Sequence, residues 1–478
     1  MDIDAPDASP EGLVSQFSAL FPLPFRVLVL LGLGGLCWAS NLQILDWLGV
    51  DAGHALQIPA HRTSTVLPSH TPPNSNPGTP FPGSVHAHTS ALYPPLNKIV
   101  AVYLFFVTSA WGLFYLLTRG DIDMLNQTKW VPALSFTVIL VVAVLPLRDV
   151  YGAQRSYLYQ SLHRCLFSTP SQPVFFCDVI AADILTSFAK VLGDVFISVM
   201  VLLPGGSLRV TFMGGKLSDV AIPVLLSLPY AIRLRQCIVE YIGSGGLSQR
   251  PMYNAVKYAT AFPVIFLSAA QRLLAIDNED SGRTWYGEYA IFRLWLLAVI
   301  INSSYSFWWD ITNDWGLTLL KMETWSSSSS STSAYQPLSQ SPLNGLNAAP
   351  STSGSQSSHP FGLRAPLLFR DPLIYYLIIM LNFVLRFTWS LKLSSHLHSV
   401  ADLESGVFLM EALELIRRWM WVFLRVEWEV VKKMMEKDAS LGQAVSKSVR
   451  GHISGVADDN IELFTYPEDD DVTDGEQA

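Results

Sequence analysis

One stretch of the chain decides the fold: residues 174–203 read VFFCDVIAADILTSFAKVLGDVFISVMVLL. The hydrocarbon core of a bilayer is about 30 Å thick, and roughly 20 apolar residues in a helix cross it. A helix is also the open-chain structure that satisfies all of its own backbone hydrogen bonds in lipid. The stretch is therefore predicted to span a membrane, although it carries charged side chains such as Asp183, Lys190 and Asp194.

Similar apolar stretches extend over most of the chain. Candidate spans cover residues 22–45, 97–118, 131–147, 174–203, 219–241, 254–274, 287–309, 368–393 and 403–425, which makes nine. Residues 148–173 would add a tenth, but Arg155 and Arg164 alternate there with Tyr157 and Leu158, a pattern that fits an amphipathic helix in the membrane interface. The sequence predicts an all-α fold, a polytopic bundle of nine or ten transmembrane helices with disordered loops and tail.

The composition agrees with a membrane protein and excludes several other classes. Of the 478 residues, 50% are hydrophobic and only 15% are charged, against the usual figure of about a quarter charged. The formal charge of −8 and the lack of a basic stripe argue against a nucleic-acid partner. The four cysteines lack the paired spacing of a zinc site or disulfide framework, and no nucleotide-binding or nucleophile motif occurs. We expect no enzymatic activity, no metal and no cofactor.

Charged residues inside the apolar stretches are the strongest functional signal. An ionisable group near the bilayer midplane costs about 2.5 to 3.5 kcal/mol, so it persists where it faces another charge, water or a substrate. Such groups occur in five stretches, and helical spacing places several of them on shared faces, such as Asp183, Ser187, Lys190 and Asp194. The groups in the five stretches are Asp178, Asp183, Ser187, Lys190 and Asp194; Arg233; Asn254, Lys257, Tyr258 and Arg272; Asn382, Arg386 and Trp389; and Glu411, Glu414, Arg417, Arg418, Trp421 and Arg425.

This mixture of cations and carboxylates suits a site for a small anion such as phosphate. Guanidinium groups bind phosphate oxygens in pairs, Lys adds a point charge, and Asp or Glu holds an Arg in place when the site is empty. Two structural explanations remain open at this point. Opposite charges could pair across helices only to fix their register. Arg417, Arg418 and Arg425 could also be anchors at the membrane interface.

The same charged segments resemble the EXS family, which includes eukaryotic phosphate exporters and a fungal Golgi protein needed for retention of lumenal proteins of the endoplasmic reticulum. The stretches that carry the resemblance are FFCDVIAADILTS from Phe175, LPYAIRLRQCIVEY from Leu228, YNAVKYATAFPV from Tyr253, YSFWWDITNDWGL from Tyr305, LIYYLIIMLNFVLRFTW from Leu373 and LELIRRWMWVFLRVEWE from Leu413. The blocks around Asp310 and Asp314 and around Arg417 are the most specific. The resemblance implies a helical transport domain with a phosphate pathway through its interior.

The resemblance also implies which residues handle phosphate. The family's phosphate positions fall on Asp178, Arg233, Lys257, Arg386, Trp389, Arg417 and Arg418. Supporting positions, taken from the family motifs or from the charged faces, are Asp183, Lys190, Asn254, Tyr305, Asp310, Asp314, Asn382, Glu414, Trp421 and Arg425. The family's Glu-Asn-Glu is Glu427-Trp428-Glu429 here, so a role for that Asn does not transfer.

The resemblance divides the chain into four regions. We expect a short cytosolic N-terminus at 1–20, spanning helices at 21–147 with a Pro-rich loop at 51–95, an EXS-type transport domain at 148–437 with a Ser-rich linker at 325–360, and a disordered acidic tail at 438–478. Lys and Arg after the last span place the C-terminus in the cytosol. The larger exporters carry an inositol-polyphosphate sensor before the membrane domain, which is not expected here; the chain is most similar to the short fungal Golgi branch.

Two functions follow, from different classes. The first is a phosphate transporter or channel of the Golgi membrane that returns phosphate from lumen to cytosol and so supports glycosylation and protein retention. The alternative is a sorting receptor or scaffold that recycles Golgi glycosyltransferases without transport. Expected partners are inorganic phosphate, the lipid bilayer, an enzyme-recycling adaptor at the cytosolic tail, and a second copy of the chain. Small residues at Gly32, Gly34, Gly35 and Ala39 would allow such a homodimer.

Overall fold

In a computed structural model of the protein, the residues described are 16–57, 89–145, 152–172, 174–208, 216–281, 286–320, 362–364, 366–369, 371–387 and 400–459. All regular elements in these ranges are helices, and no strand occurs among them. The α-helices are α1 Gln16–Leu20, α2 Leu23–Trp47, α3 Ala52–Ala55, α4 Thr89–Thr118, α5 Trp130–Val144, α6 Gly152–Phe167, α7 Phe176–Ser187, α8 Ala189–Leu202, α9 Lys216–Gly243, α10 Arg250–Ala259, α11 Ala261–Ser281, α12 Tyr286–Trp309, α13 Pro372–Phe387 and α14 Val400–Asp459. A 3-10 turn spans Ile122–Met124 and a π-helix spans Asp310–Asp314.

Several helices are long and apolar enough to cross a membrane. Within the described ranges four qualify: Leu23–Trp47, Thr89–Thr118, Ser218–Gly243 and Ala290–Asp314. The bent pair Phe176–Ser187 and Ala189–Leu202 makes a fifth if it counts as one span. Trp130–Ala143 and Pro372–Phe387 are apolar but shorter. The protein is thus an all-helical membrane protein, while the predicted total of nine or ten spans is not reached by these criteria.

Two of the predicted spans are broken. The stretch 174–203 bends by 60° at Phe188, between α7 and α8. The stretch 254–274 divides at Thr260, because the ring of Pro263 would clash with the carbonyl of Ala259, the last residue of α10. The charged face predicted for one straight helix is therefore shared between two, with Asp183 on α7 and Lys190 on α8.

The N-terminal part of the bundle packs around α2. Its residues Val27 and Leu30 form a buried cluster with Val191 of α8 and Leu415 of α14. A side chain at Gly32 would meet Leu104 of α4, and one at Gly34 would meet the ring of Phe188. These two glycines are used for close helix contacts within the chain, so a second copy would need a different surface from the one that the sequence suggested.

The ends of the predicted loops differ from the structure. Helix α4 begins at Thr89, inside the predicted loop 51–95, and α3 forms just after Asp51, whose side chain accepts a hydrogen bond from the His54 amide. The tail was predicted to be disordered from residue 438, but α14 continues to Asp459. Apolar residues at Leu441, Val445 and Val449 keep the helical spacing there. Residues 58–88, 321–361 and 460–478, where the remaining disorder predictions fall, lie outside the described residues.

The chain divides into two compact units, Met1–Trp428 and Glu429–Ala478. The first unit contains the broken helices, the π-helix and every predicted site residue that the structure describes. The functional site is therefore built within this unit.

Candidate functional site

A cavity of about 410 Å³ lies in the middle of the helix bundle. Helices α7 and α9 to α14 contribute to its wall, so residues far apart in sequence meet there. Its described lining residues include five cations and a single carboxylate, Glu414. The cations are Lys257, Arg272, Arg386, Arg417 and Arg418. A cavity with this lining favours an anion over a cation.

Asp310 connects three of these cations behind the wall. Its carboxylate is fully buried and lies 3.0 Å from the Lys257 ammonium. The same carboxylate accepts hydrogen bonds from Arg386, one of them at 3.0 Å from Nε, and lies 3.9 Å from Nη1 of Arg417. Asn382 donates to it as well, at 3.2 Å. One buried carboxylate thus neutralises part of the charge of three cations that face the cavity.

Asp310 and Asp314, which lie in a short π-helix, pair with the same lysine. The Lys257 ammonium lies 2.9 Å from Oδ2 of Asp314, whose Oδ1 accepts a hydrogen bond from the Trp309 indole at 3.2 Å. Asp310 and Asp314 are the first and last residues of this π-helix, a conformation that is frequent at functional sites. Asp310 and Asp314 are predicted from the sequence only as supporting positions, whereas in the structure both pair directly with Lys257.

Glu414 and Arg417 form a second pair at the cavity wall. Arg417 Nε donates to Oε2 of Glu414 at 2.8 Å, and Nη2 donates to Oε1 at 2.5 Å. The third nitrogen, Nη1, reaches Oδ1 of Asn382 at 3.3 Å. Ser187 of α7 also donates to Glu414, at 2.8 Å. Arg417 is therefore held in a fixed orientation toward the cavity.

Arg418 differs from the other cations of the cavity. Its Nε donates to the hydroxyl of Ser187 at 3.0 Å and its Nη2 to the hydroxyl of Thr186 at 3.1 Å. The guanidinium lies over the Trp421 ring, 4.7 Å from its centroid. Among the described residues no carboxylate lies within 4.0 Å of Arg418, and its buried Nη1 has no hydrogen-bond partner. A buried guanidinium with neutral partners and an unused donor is suited to bind an anion.

Arg233 supports the cavity rather than lining it. Asp183 accepts from its Nε at 2.9 Å and from its Nη2 at 3.3 Å, and Gln236 accepts from Nη1 at 2.8 Å. Tyr258, which does line the cavity, donates to the same Asp183 carboxylate at 2.5 Å. All of these groups are buried. Arg233 and Asp183 thus fix the position of the Tyr258 ring.

Asp178 lies apart from the cavity. It accepts hydrogen bonds from Arg164 of α6 at 2.6 and 2.8 Å and from Ser161 at 2.7 Å. These bonds hold the pKa of Arg164 above its usual value, so this guanidinium stays charged. The structure places Asp178 in a clamp between α6 and α7, not at the cavity wall.

The remaining predicted residues divide between neighbours of the cavity and more distant positions. Arg425 lies 4.0 Å from Asp314 and over the Phe176 ring, next to the Lys257 cluster. Tyr305 donates to the backbone of Tyr253 at 2.9 Å. Asn254 has a buried Oδ1 without a partner, while Lys190 pairs with Asp194 one turn along α8. Trp389 lies outside the described residues.

Part of the cavity wall was not predicted from the sequence. Tyr230 of α9 and Asn302, Ser303 and Ser306 of α12 line it. The three residues of α12 interrupt an apolar stretch at helical spacing, which is a signal for a polar helix face.

Comparison with known proteins agrees with this architecture. The EXS family model matches residues 21–431, and the chain therefore belongs to the EXS family. The chain is 29% identical to Protein ERD1 homolog 1 of Schizosaccharomyces pombe over 70% of its length and 76% of that protein. It is 27% identical to Protein ERD1 homolog 2 of the same yeast, over 85% and 95% respectively. It is also 25% identical to Phosphate transporter PHO1 homolog 8 of Arabidopsis thaliana, over 64% of this chain and 34% of that protein.

Proposed function

We propose that this EXS-family protein moves inorganic phosphate across the membrane through the cationic cavity. The observation that carries the proposal is Arg418, a buried guanidinium that lines the cavity with one unused donor and no carboxylate within 4.0 Å among the described residues. Phosphate presents several oxygens with negative charge, and it can accept from this donor and from neighbouring cations together. The name of the Arabidopsis relative, a phosphate transporter, supports the same substrate.

The wall provides a reason for moderate affinity. Lys257, Arg386 and Arg417 are each partly neutralised by Asp310 or Glu414 when no anion is present. Phosphate must compete with these carboxylates, so the net gain from binding is smaller than the sum of its contacts. A conducting site needs binding that is favourable enough for entry and weak enough for release.

The membrane, the orientation and the direction of transport that we propose are those expected from the sequence. We place the protein in the Golgi membrane with a cytosolic C-terminus, returning phosphate from lumen to cytosol, and we assign it no enzymatic activity. Similarity to ERD1 homologues supports membership of the short fungal branch. Nine spans result if α7–α8 and α10–α11 each cross as a bent unit and if α5, α13 and the first part of α14 also cross.

Reconstitution tests the substrate directly. Purified full-length protein in liposomes should take up radiolabelled inorganic phosphate faster than protein-free liposomes, with a rate that saturates as phosphate rises. Uptake no faster than in protein-free liposomes would overturn the proposal.

A second candidate function is the sorting receptor or scaffold, with the cytosolic tail as the contact for an enzyme-recycling adaptor. The continuation of α14 as a separate compact unit, Glu429–Ala478, favours it. A helix of this kind can present a regular face to a partner. The two functions can coexist, since one uses the cavity and the other a different unit of the chain.

A further inference from the structure

A second charged cluster lies between α8 and α14, outside the lining of the cavity. It consists of Lys190, Asp194 and Glu411. The Lys190 ammonium bonds to Asp194 and lies 3.6 Å from Oε1 of Glu411. The two carboxyl groups are buried side by side, with side-chain exposures of 5% and 8%. Two buried acidic groups therefore share one ammonium, whose own side chain is 46% exposed.

The described groups around this cluster do not balance the second carboxylate. Arg26 of α2 faces both carboxyls, but it is paired with Glu404, which lies two turns before Glu411 on α14, and it also donates to Ser18. Helix α5 contributes no charged residue, and α9 packs against Gly193 of α8 through Leu226 and Ile222. Among the described residues, and with Arg26 and Glu404 included, the three carboxylates outnumber the two cations by one.

Two buried polar atoms in or near this cluster have no hydrogen-bond partner among the described residues. One is Oε1 of Glu411, which Lys190 reaches only as an ion pair at 3.6 Å. The hydroxyl oxygen of Ser198, one turn beyond Asp194 and fully buried, also has no partner. A buried carboxylate without a donor carries a large desolvation cost. A proton shared by the two carboxyls removes both the excess charge and the unsatisfied oxygen.

We propose that Asp194 and Glu411 together bind one proton and that this proton is transported with phosphate. The inference rests on the proposed phosphate function and adds the coupling ion. The proton comes from water on the side where phosphate enters, bonds to a carboxyl oxygen of the pair, and returns to water on the side where phosphate leaves.

Helix geometry links the pair to the cavity. Glu411 precedes Glu414 by three residues on α14, so it lies one turn from a residue that lines the cavity and accepts a hydrogen bond from Ser187, a partner of Arg418. An unprotonated pair adds a negative charge near the cavity and repels phosphate. A protonated pair removes this repulsion, so proton and phosphate bind cooperatively, each favouring the other by linkage.

The test counts protons per phosphate in liposomes that contain the full chain, an internal pH-sensitive dye and radiolabelled inorganic phosphate, at a clamped membrane potential. Phosphate carries protons of its own, so the informative quantity is the difference between the wild type and Glu411→Gln, which cannot bind the shared proton. We expect the wild type to move about one proton more per phosphate than Glu411→Gln, with Asp194→Asn behaving like Glu411→Gln. Glu436→Gln, on the same helix but exposed and outside this cluster, should keep the wild-type ratio.

Equal ratios in the wild type and in Glu411→Gln, with phosphate uptake in both, would overturn the proton assignment and leave phosphate transport intact. If the wild type shows no phosphate uptake, the proposed function itself is overturned. If neither variant folds, the number of protons that the wild type moves per phosphate decides whether the proton assignment holds. A value no higher than the protons bound to bulk phosphate at the entry-side pH contradicts the proposal, and a value higher by one supports it.

Discussion

The ammonium of Lys257 lies 3.0 Å from the fully buried carboxylate of Asp310. Asp310 also pairs with Arg386. Its carboxylate therefore neutralises, in the empty protein, cations that a bound phosphate would neutralise. Phosphate and Asp310 therefore compete for the same cations. This competition connects the stability of the empty protein to its affinity for the anion.

Asp310→Asn should weaken the empty protein and increase the stabilising effect of phosphate. Removal of one partner of a buried ion pair costs about 3 to 5 kcal/mol. Phosphate can then bind cations that no longer have a competing carboxylate, so the variant's thermal midpoint in detergent should rise more with added phosphate than that of the wild type. Asp371→Asn is the control, because Asp371 is exposed and caps α13 at the Leu373 amide. An equal phosphate-induced rise in Asp310→Asn and wild type would contradict the competition.

The close contact between Gly316 and Trp428, just after the π-helix, can be tested by substitution. It has φ +65°, and a Cβ on it would lie 2.5 Å from the indole of Trp428. Gly316→Ala should cost about 1 to 2 kcal/mol for the left-handed backbone and roughly 1 to 3 kcal/mol more for overpacking. Gly49→Ala is the matched control, since Gly49 has φ +76° with nothing within 4 Å of a Cβ. Equal thermal midpoints for the two variants would show that the Trp428 contact is unimportant.

Glu427 and Arg364 form an ion pair that fastens the segment before α13 to α14. The groups lie 2.8 Å apart, both buried, and Glu427 also accepts from the Leu368 amide at 2.8 Å and from the Tyr375 hydroxyl. Glu427→Leu leaves Arg364 buried without its carboxylate, which should cost about 3 to 5 kcal/mol.

Adding Arg364→Met to Glu427→Leu should recover part of this loss, because no buried charge is then unpaired. Thermal unfolding of the wild type, both single variants and the double variant measures the coupling. If the double variant is less stable than Glu427→Leu, the loss in Glu427→Leu does not come from the unpaired charge of Arg364.

The sequence identified the cations of the site because charge in an apolar helix is costly and rarely accidental. Lys257, Arg386, Arg417 and Arg418 were all predicted, and the structure brings them to one cavity. Helical spacing could not show which carboxylate each cation would meet, since that depends on contacts between helices. Asp178 shows this limit, because its partner is Arg164 of the neighbouring helix.

Local backbone geometry was the other feature that the sequence did not reveal. The break at Phe188 occurs without proline, in a segment whose apolar pattern is continuous, so spacing alone predicted one straight helix. The break at Thr260, by contrast, could have been predicted from Pro263. The π turn at Asp310–Asp314 likewise has no clear signature in residue type, although both of its carboxylates pair with Lys257.

Removal of residues after 438 separates transport from a scaffold role. The cavity lies wholly in the unit that ends at Trp428, so the truncated chain should retain phosphate uptake in liposomes. If enzyme retention in cells is lost while uptake persists, the tail has a separate role. Loss of uptake in a truncated protein that still folds would show that the cavity depends on the tail.

The most direct test of the central claim is phosphate uptake by Arg418→Ala in liposomes. Hydrogen bonds to a charged group contribute about 1.5 to 3 kcal/mol, so KM for phosphate should rise about tenfold or more. The control is Arg235→Ala, whose side chain donates to the carbonyls of Cys165 and Ser168 and does not line the cavity. The account predicts a large rise in KM for Arg418→Ala and an unchanged KM for Arg235→Ala. Wild-type KM and rate in Arg418→Ala would contradict it.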